Sequence, residues 1–143
     1  MRVFLDTNVL LDAYGERQDS RLTADGRKIL SLAVGRCYEL YMSVISVPTI
    51  AYVIKGMTVN EKKALIQRIT EVVTPLPSLP VHISKIIEMP TKDIEDAMQI
   101  LSAQEGGCDV IVTRDAAGFE GCEIPVVSPA NFLRRIDISG QKD

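Results

Sequence analysis

"PTKDIEDAMQILSAQEGGCDVIVTRD", residues 90–115, decides the fold. Ile94, Ala97, Met98 and Leu101 recur at i, i+3, i+4 and i+7, the spacing of one face of a helix. Thr91 is placed to cap its start, and Gly106 and Gly107 to stop it. "DVIVT" (109–113) then runs apolar without alternation, as a strand does when both of its faces are covered. A helix that turns straight into such a strand is half of a βαβ unit, so the stretch predicts a parallel sheet with helices packed on it.

The same alternation extends outward in both directions. "RVFL" (2–5) is a short run of β-formers, and "VLLDAYG" a helical turn ending near Gly15. "DSRLTADGRKILSLAVGR" predicts a helix capped by Ser20, with Leu22, Ile29, Leu30, Ala33 and Val34 on its apolar face. "YELYMS" (38–43) alternates like a strand, residues from about Pro48 to Lys55 read as helix, and a clearer helix begins near Asn60. "TPLPSLP" is a Pro-rich connection around a short strand, followed by the helix "VHISKIIEM". "IPVV" (124–127) adds a last strand, and "SPANFLRRI" a closing helix with Ser128 as cap and Pro129 at its first position. The expected architecture is a three-layer α/β/α sandwich with a mainly parallel sheet and right-handed crossovers. One domain spans 1–138, and 139–143 form a loose polar tail.

Composition narrows the chemistry. With 143 residues, 46% of them hydrophobic and 24% charged, the chain can bury a core without disulfides or a structural metal. No apolar run approaches the roughly 20 residues of a membrane span, and Asp6 comes too early for a signal peptide, so a cytoplasmic protein with no membrane contact is expected. Cys37, Cys108 and Cys122 form no CxxC pair and read as reduced core residues, a disulfide between two of them being the alternative. The single histidine, His82, excludes two-histidine catalysis and His-based metal clusters within one chain; a partly exposed helix position is expected for it. GxSxG, GxxxxGK[ST] and GxGxxG are absent, so catalysis would fall to carboxylates. A net charge of −3 argues against a large nonspecific nucleic-acid footprint.

In a parallel sheet, functional groups gather beyond the carboxyl ends of the strands. Asp6 follows "RVFL" at that edge, and Asp115 lies two residues after "DVIVT". Asp93 and Asp96 occupy the first turns of the helix that enters the latter strand, spaced i, i+3 on one face. All four are expected to converge, whereas Glu95 is expected on the solvated face. Each acid alone has an ordinary explanation as a cap or turn residue. Together they repel: two carboxylates about 5 Å apart cost roughly 3 kcal/mol at an effective dielectric near 20. Protonation or a hard cation such as Mg²⁺ or Mn²⁺ would relieve that.

"FLDTNVLLD" (4–12) and "KDIEDAMQILSAQEGGCDVIVTRDAAGF" (92–119) resemble the two signature motifs of the PIN-domain family, which includes VapC-type ribonuclease toxins and RNA-processing nucleases. The first is an acid closing a strand, then Thr and Asn. The second is an acid opening a small-residue helix, a Gly-containing turn and a strand ending in Thr-x-Asp before an aromatic, here Phe119. The resemblance implies that Asp6, Asp96 and Asp115 hold one or two Mg²⁺ or Mn²⁺ ions, with Asp93 as a helper among the catalytic acids. It gives Thr7, Asn8 and Thr113 polar roles around the carboxylates and the scissile phosphate. Arg114, beside Asp115, is a candidate for steadying a phosphate, a surface Arg in a turn being the plainer reading. One departure is plain: the family usually carries an acid in the helix after the second strand, and no acid occurs between Met42 and Met57, the matching position being Thr49.

The implied function is metal-dependent endonucleolytic hydrolysis of RNA, performed by the toxin of a toxin–antitoxin pair. An antitoxin and a homodimer are the partners that the resemblance implies. Lys55, Lys62, Lys63, Arg68, Arg134 and Arg135 could guide RNA, although a solvated helix face explains them equally. The principal alternative is a catalytically silent PIN-fold module that binds RNA or protein, for which the missing acid speaks. A haloacid-dehalogenase-like phosphatase is a remote one, because that class needs a second Asp where this chain has Asn8.

Overall fold

The computed structural model describes residues 1–15, 19–35 and 37–140, the last three of these as backbone only. Five parallel strands form one sheet in the order β3-β2-β1-β4-β5: β1 (Arg2–Leu5), β2 (Glu39–Ser43), β3 (Val73–Leu76), β4 (Val110–Val112) and β5 (Val126–Val127). The connecting helices are α1 (Thr7–Tyr14), α2 (Ser20–Ser31), α3 (Ser46–Val53), α4 (Val59–Val72), α5 (Val81–Glu88), α6 (Ile94–Glu105) and α7 (Pro129–Gly140). Among the described residues no helix is long and apolar enough to cross a membrane.

Strand parity divides the core into two layers. Val3 and Leu5 of β1, Leu40 and Met42 of β2, and Val110 and Val112 of β4 pack with Leu10 of α1, Ile29 of α2, Ile50 of α3, Ile69 of α4 and Phe132 of α7. Phe4 and Ile111 point to the opposite face and pack with Ile100 and Ala103 of α6 and with Phe119. This is the three-layer α/β/α arrangement with helices on both faces. Because side chains alternate along a strand, Asp6 shares the α6 side with Phe4, and Thr113 shares it with Ile111. The residue just past each central strand therefore faces α6.

Several local expectations are corrected. Asp19, not Ser20, caps α2, accepting from the backbone N–H groups of Arg21 and Leu22. Asp93, not Thr91, caps α6; Thr91 instead donates to the Asp93 carbonyl at 2.9 Å and accepts from its N–H at 3.2 Å. Ile94, assigned to the apolar face of α6, is 70% exposed, and Val34 is exposed too. The helix read from Pro48 to Lys55 spans Ser46–Val53, and the strand read over 124–127 is only Val126–Val127. Val73–Leu76 pairs with β2 through its proline, as an edge strand permits. His82 is fully buried and not partly exposed: its Nδ1 accepts the Leu79 N–H at 3.0 Å at the start of α5, while its Nε2 finds no hydrogen-bond partner among the described residues. All three cysteines are free thiols, and Cys37 is exposed rather than in the core. Of the tail expected to be loose, residues 139–140 continue α7, and 141–143 lie outside the described residues.

An ion pair between a buried aspartate and an exposed arginine ties α1 to the turn after β4. Asp12 is 1% exposed, and its Oδ2 accepts from Arg114 Nε at 2.7 Å. The pair joins the helix that follows Asp6 to the turn that carries Asp115. Arg114 is itself exposed and can turn to water once its partner is gone, so Asp12→Ala should destabilise the fold by about 1–2 kcal/mol in urea denaturation.

Candidate active site

Asp6 is the fixed point of the site. It is 2% exposed, and both of its carboxylate oxygens accept: Oδ1 from Gln99 Nε2 at 3.0 Å, and Oδ2 from Thr113 Oγ1 at 2.7 Å. Its own N–H donates to the Val112 carbonyl at 3.0 Å, continuing the pairing of β1 with β4. A carboxylate this deep is tolerable only with such charge-assisted donors. Each donor has a second task. Gln99 Oε1 accepts the Thr7 N–H at 3.2 Å, and Thr113 Oγ1 accepts the Asp115 N–H at 3.0 Å. Gln99 thus orients the residue after Asp6, and Thr113 orients the turn that bears Asp115.

The other acids stand around this point. Asp96 is half-buried in the first turn of α6, and its carboxyl is pushed up to about 7. Burial is the largest cause, followed by the charges of Asp93, Asp6, Asp115 and Glu95. Gly118 shows how tightly two of them approach: a Cβ there would collide with the Asp96 carboxylate and lie 3.4 Å from Asp115 Oδ2. The turn after β4 therefore passes directly over the acids, and any side chain at this position would push into them. Asp93 is exposed and its Oδ1 accepts the Asp96 N–H at 3.0 Å, so one oxygen of the expected helper serves as the helix cap. Asp115 is exposed at the mouth, and Asn8 is half-buried in the first turn of α1.

Thr7 has unexpected neighbours. Its Oγ1 lies 2.7 Å from Ser46 Oγ of α3 and donates to Glu95 Oε1 at 3.4 Å. Glu95 is thus a half-buried member of the acidic group and not a solvated surface residue. Thr49 turns its hydroxyl back along its own helix to the Ile45 carbonyl at 3.2 Å. Arg114, a candidate phosphate contact, has its Nε engaged with Asp12. Gln99, Ser46 and Gly118 were not marked by the sequence motifs. Gln99 did carry a signal, since it is an uncharged polar residue three positions after Asp96 on a helix that must be buried.

The donor set consists of oxygens, which suits Mg²⁺ or Mn²⁺, and a cation there would relieve the repulsion that raises Asp96. Among the described residues no three His, Cys, Asp or Glu side chains stand close enough, as placed, to enclose a metal ion. The fit is therefore one of chemistry and proximity, to an open acidic cluster at the carboxyl edge of β1 and β4. Without metal, Asp96 sets a pH dependence. Between its ordinary 3.8 and about 7, the native chain keeps a proton that the unfolded chain has released, so stability falls as pH rises through that window. In chelator at pH 8, Asp96→Asn should be more stable than the wild type by about 1–2 kcal/mol, allowing for solvent screening of a half-buried group. At pH 4 urea denaturation should find the two alike.

Comparison with known proteins shows the family. A family model described as PIN domain matches residues 2–117. Ribonuclease VapC1 of Aquifex aeolicus (strain VF5) is 28% identical, over 94% of each chain. Among solved structures, VapBC2 from Rickettsia felis, bound to a DNA fragment from its promoter, superposes with a TM-score of 0.66 at 14% identity, covering 90% of this chain and 98% of that one. FitAcB from Neisseria gonorrhoeae superposes with a TM-score of 0.63 at 19% identity and the same coverage. The likeness of these two is one of fold. The chain belongs to the PIN-domain family.

Proposed function

We propose that this chain is a divalent-metal-dependent endoribonuclease acting as the toxin of a toxin–antitoxin pair. The observation that carries the proposal is the gathering of acids around the buried Asp6: the Asp96 and Asp115 carboxylates both crowd Gly118, and Asp6 itself is held by Gln99 and Thr113. A fold gains nothing in stability from concentrating like charges beside a buried carboxylate; a cation-dependent reaction on an anionic substrate does gain from it. The likeness to a relative named ribonuclease, over nearly the full length of both chains, supports the same reading.

Asp6, Asp96 and Asp115 would hold one or two Mg²⁺ or Mn²⁺ ions, with Asp93 at the margin. Bound there, the cation supplies Lewis acidity toward the phosphodiester and charge for the leaving oxygen. The chain's own residues set the geometry. Gln99 and Thr113 fix both oxygens of Asp6, and Thr113 fixes the backbone at Asp115. Near pH 7 the Asp96 carboxyl carries a proton about half of the time and must release it before it can ligate. Asn8, half-buried at the start of α1, would meet an approaching phosphate, whereas Thr7 is buried with its hydroxyl against Ser46 and serves the packing of the site instead. Arg114 acts by bracing the Asp115 turn against α1 through Asp12. An RNA substrate is in keeping with a cytoplasmic protein, an antitoxin would restrain it, and a homodimer is the expected assembly.

A second reading rests on Thr49. No acid lies in α3, and the Thr49 hydroxyl is bonded to its own helix, as in a PIN-fold module that binds RNA or protein without cutting. The two readings diverge in one experiment: Mn²⁺ calorimetry beside cleavage of single-stranded RNA, for wild type, Asp6→Asn and Asp115→Asn. The nuclease predicts saturable Mn²⁺ binding and cleavage, with turnover down at least about 100-fold in both variants while the fold persists. Unchanged cleavage in both variants would dismiss the metal-site assignment, and metal-independent RNA binding without cleavage would establish the silent module. Mn²⁺ affinity should also fall about tenfold per pH unit below about 7, as protons compete for Asp96.

A further inference from the structure

We infer that the cavity beside Gly118 is a nucleobase subsite, which takes one base of a single-stranded RNA next to the phosphate being cut. The inference rests on the nuclease reading above and adds to it the place where sequence preference arises. A cavity of about 160 Å³ opens between the α5–α6 connection, α6 and the turn after β4. Gly118 is the wall that it shares with the acids: a Cβ there would collide with the Asp96 carboxylate, and the same glycine lines the cavity. α6 makes the connection a second time. Asp96, Ile100 and Gln104 follow one another at i, i+4 and i+8 along one ridge, and the latter two line the cavity. At roughly 1.5 Å per residue, Ile100 lies about 6 Å and Gln104 about 12 Å beyond Asp96 along the helix. That is the reach of one nucleotide, from its phosphate across the sugar to the far edge of its base.

The lining suits a base better than any other part of an RNA strand. Met89, Ile100 and Cys122 offer apolar surface to the faces of a ring, whereas Lys92, Gln104 and Glu120 offer donors and acceptors to its edge. Among the described residues the side chains of Lys92, Gln104 and Glu120 make no hydrogen bond or ion pair, so no bond has to break when a ligand arrives. Lys92 and Glu120 cancel in charge, and Gln104 carries none. A phosphate would therefore gain no net attraction there, while an uncharged ring with a polar edge would find both of its needs met. The volume sets the size of the occupant. At about 160 Å³ the cavity is well below the roughly 300 Å³ of pockets that take drug-sized ligands, so it admits one ring system and not a whole nucleotide.

The test separates base binding from cleavage. In chelator, adenosine, guanosine, cytidine and uridine are titrated singly into the isotope-labelled full chain and followed by NMR, for wild type, Gln104→Ala and Ala117→Leu, with thermal melts as a check on folding. One of the four should bind in the millimolar range expected of so small a ligand, shifting the backbone signals of Gly118 and Gly121 and the side-chain amide of Gln104. Ala117→Leu, which fills the cavity from the turn, should abolish those shifts. Sequencing the ends released from a random single-stranded RNA pool in Mn²⁺ should show the same base beside the cut, favoured about tenfold or more by wild type and less than about threefold by Gln104→Ala. Absence of nucleoside shifts in the wild type, cleavage without base preference, or a preference unchanged in both variants would each overturn the subsite and leave the nuclease standing. No cleavage of any RNA by the wild type would overturn the nuclease and, with it, the role of the cavity in choosing the cut.

Discussion

The site is organised around one carboxylate held almost out of reach of water. Asp6 is held by an amide from α6 and a hydroxyl from the end of β4, and removal of either would leave a buried charge short of a donor, at a cost of several kcal/mol. That requirement links three segments that are remote in sequence. Gln99 must face the sheet, so α6 carries an amide on its buried side; Thr113 must face α6, so β4 ends in register one residue beyond Val112. The remaining acids are arranged around a group that cannot move.

The second constraint is the turn after β4. Thr113 binds its backbone at Asp115, Arg114 reaches away from the acids to Asp12, and Gly118 lets the chain pass over the Asp96 carboxylate. Consecutive residues thus have opposed tasks, two directed into the cleft and one anchored in the helix on the other side of β1. The ion pair keeps the more exposed wall of the cleft in place, its aspartate being buried in α1 where water screens it little.

Much of this was legible in the sequence, for identifiable reasons. Val110–Val112 is buried throughout, as the continuous apolar run within "DVIVT" predicts for a strand covered on both faces, and "RVFL", read as a short run of β-formers, is the strand beside it. The edge shared by Asp6, Asp96 and Asp115 followed from the rule that helices return antiparallel to parallel strands. What stayed hidden depends on direction rather than on residue type. Asp19 and Ser20, or Thr91 and Asp93, are equally good caps by composition, and only backbone geometry decides which one faces the free N–H groups. Glu95 reads as the polar face of α6 until α1 is seen to place Thr7 beside it. His82 reads as a surface residue until its ring nitrogen is seen to take the Leu79 N–H.

The outer border of the sheet has a consequence for assembly. In β3 the Leu76 carbonyl points inward and accepts the Val44 N–H, so the preceding position, Pro75, turns its nitrogen outward, and proline has no hydrogen there to offer. The opposite border, β5, is two residues long. A visiting strand would find too few donors on one side and too short a template on the other, which guards the sheet against edge-to-edge polymerisation. Any chain that joins this one must do so through its helices.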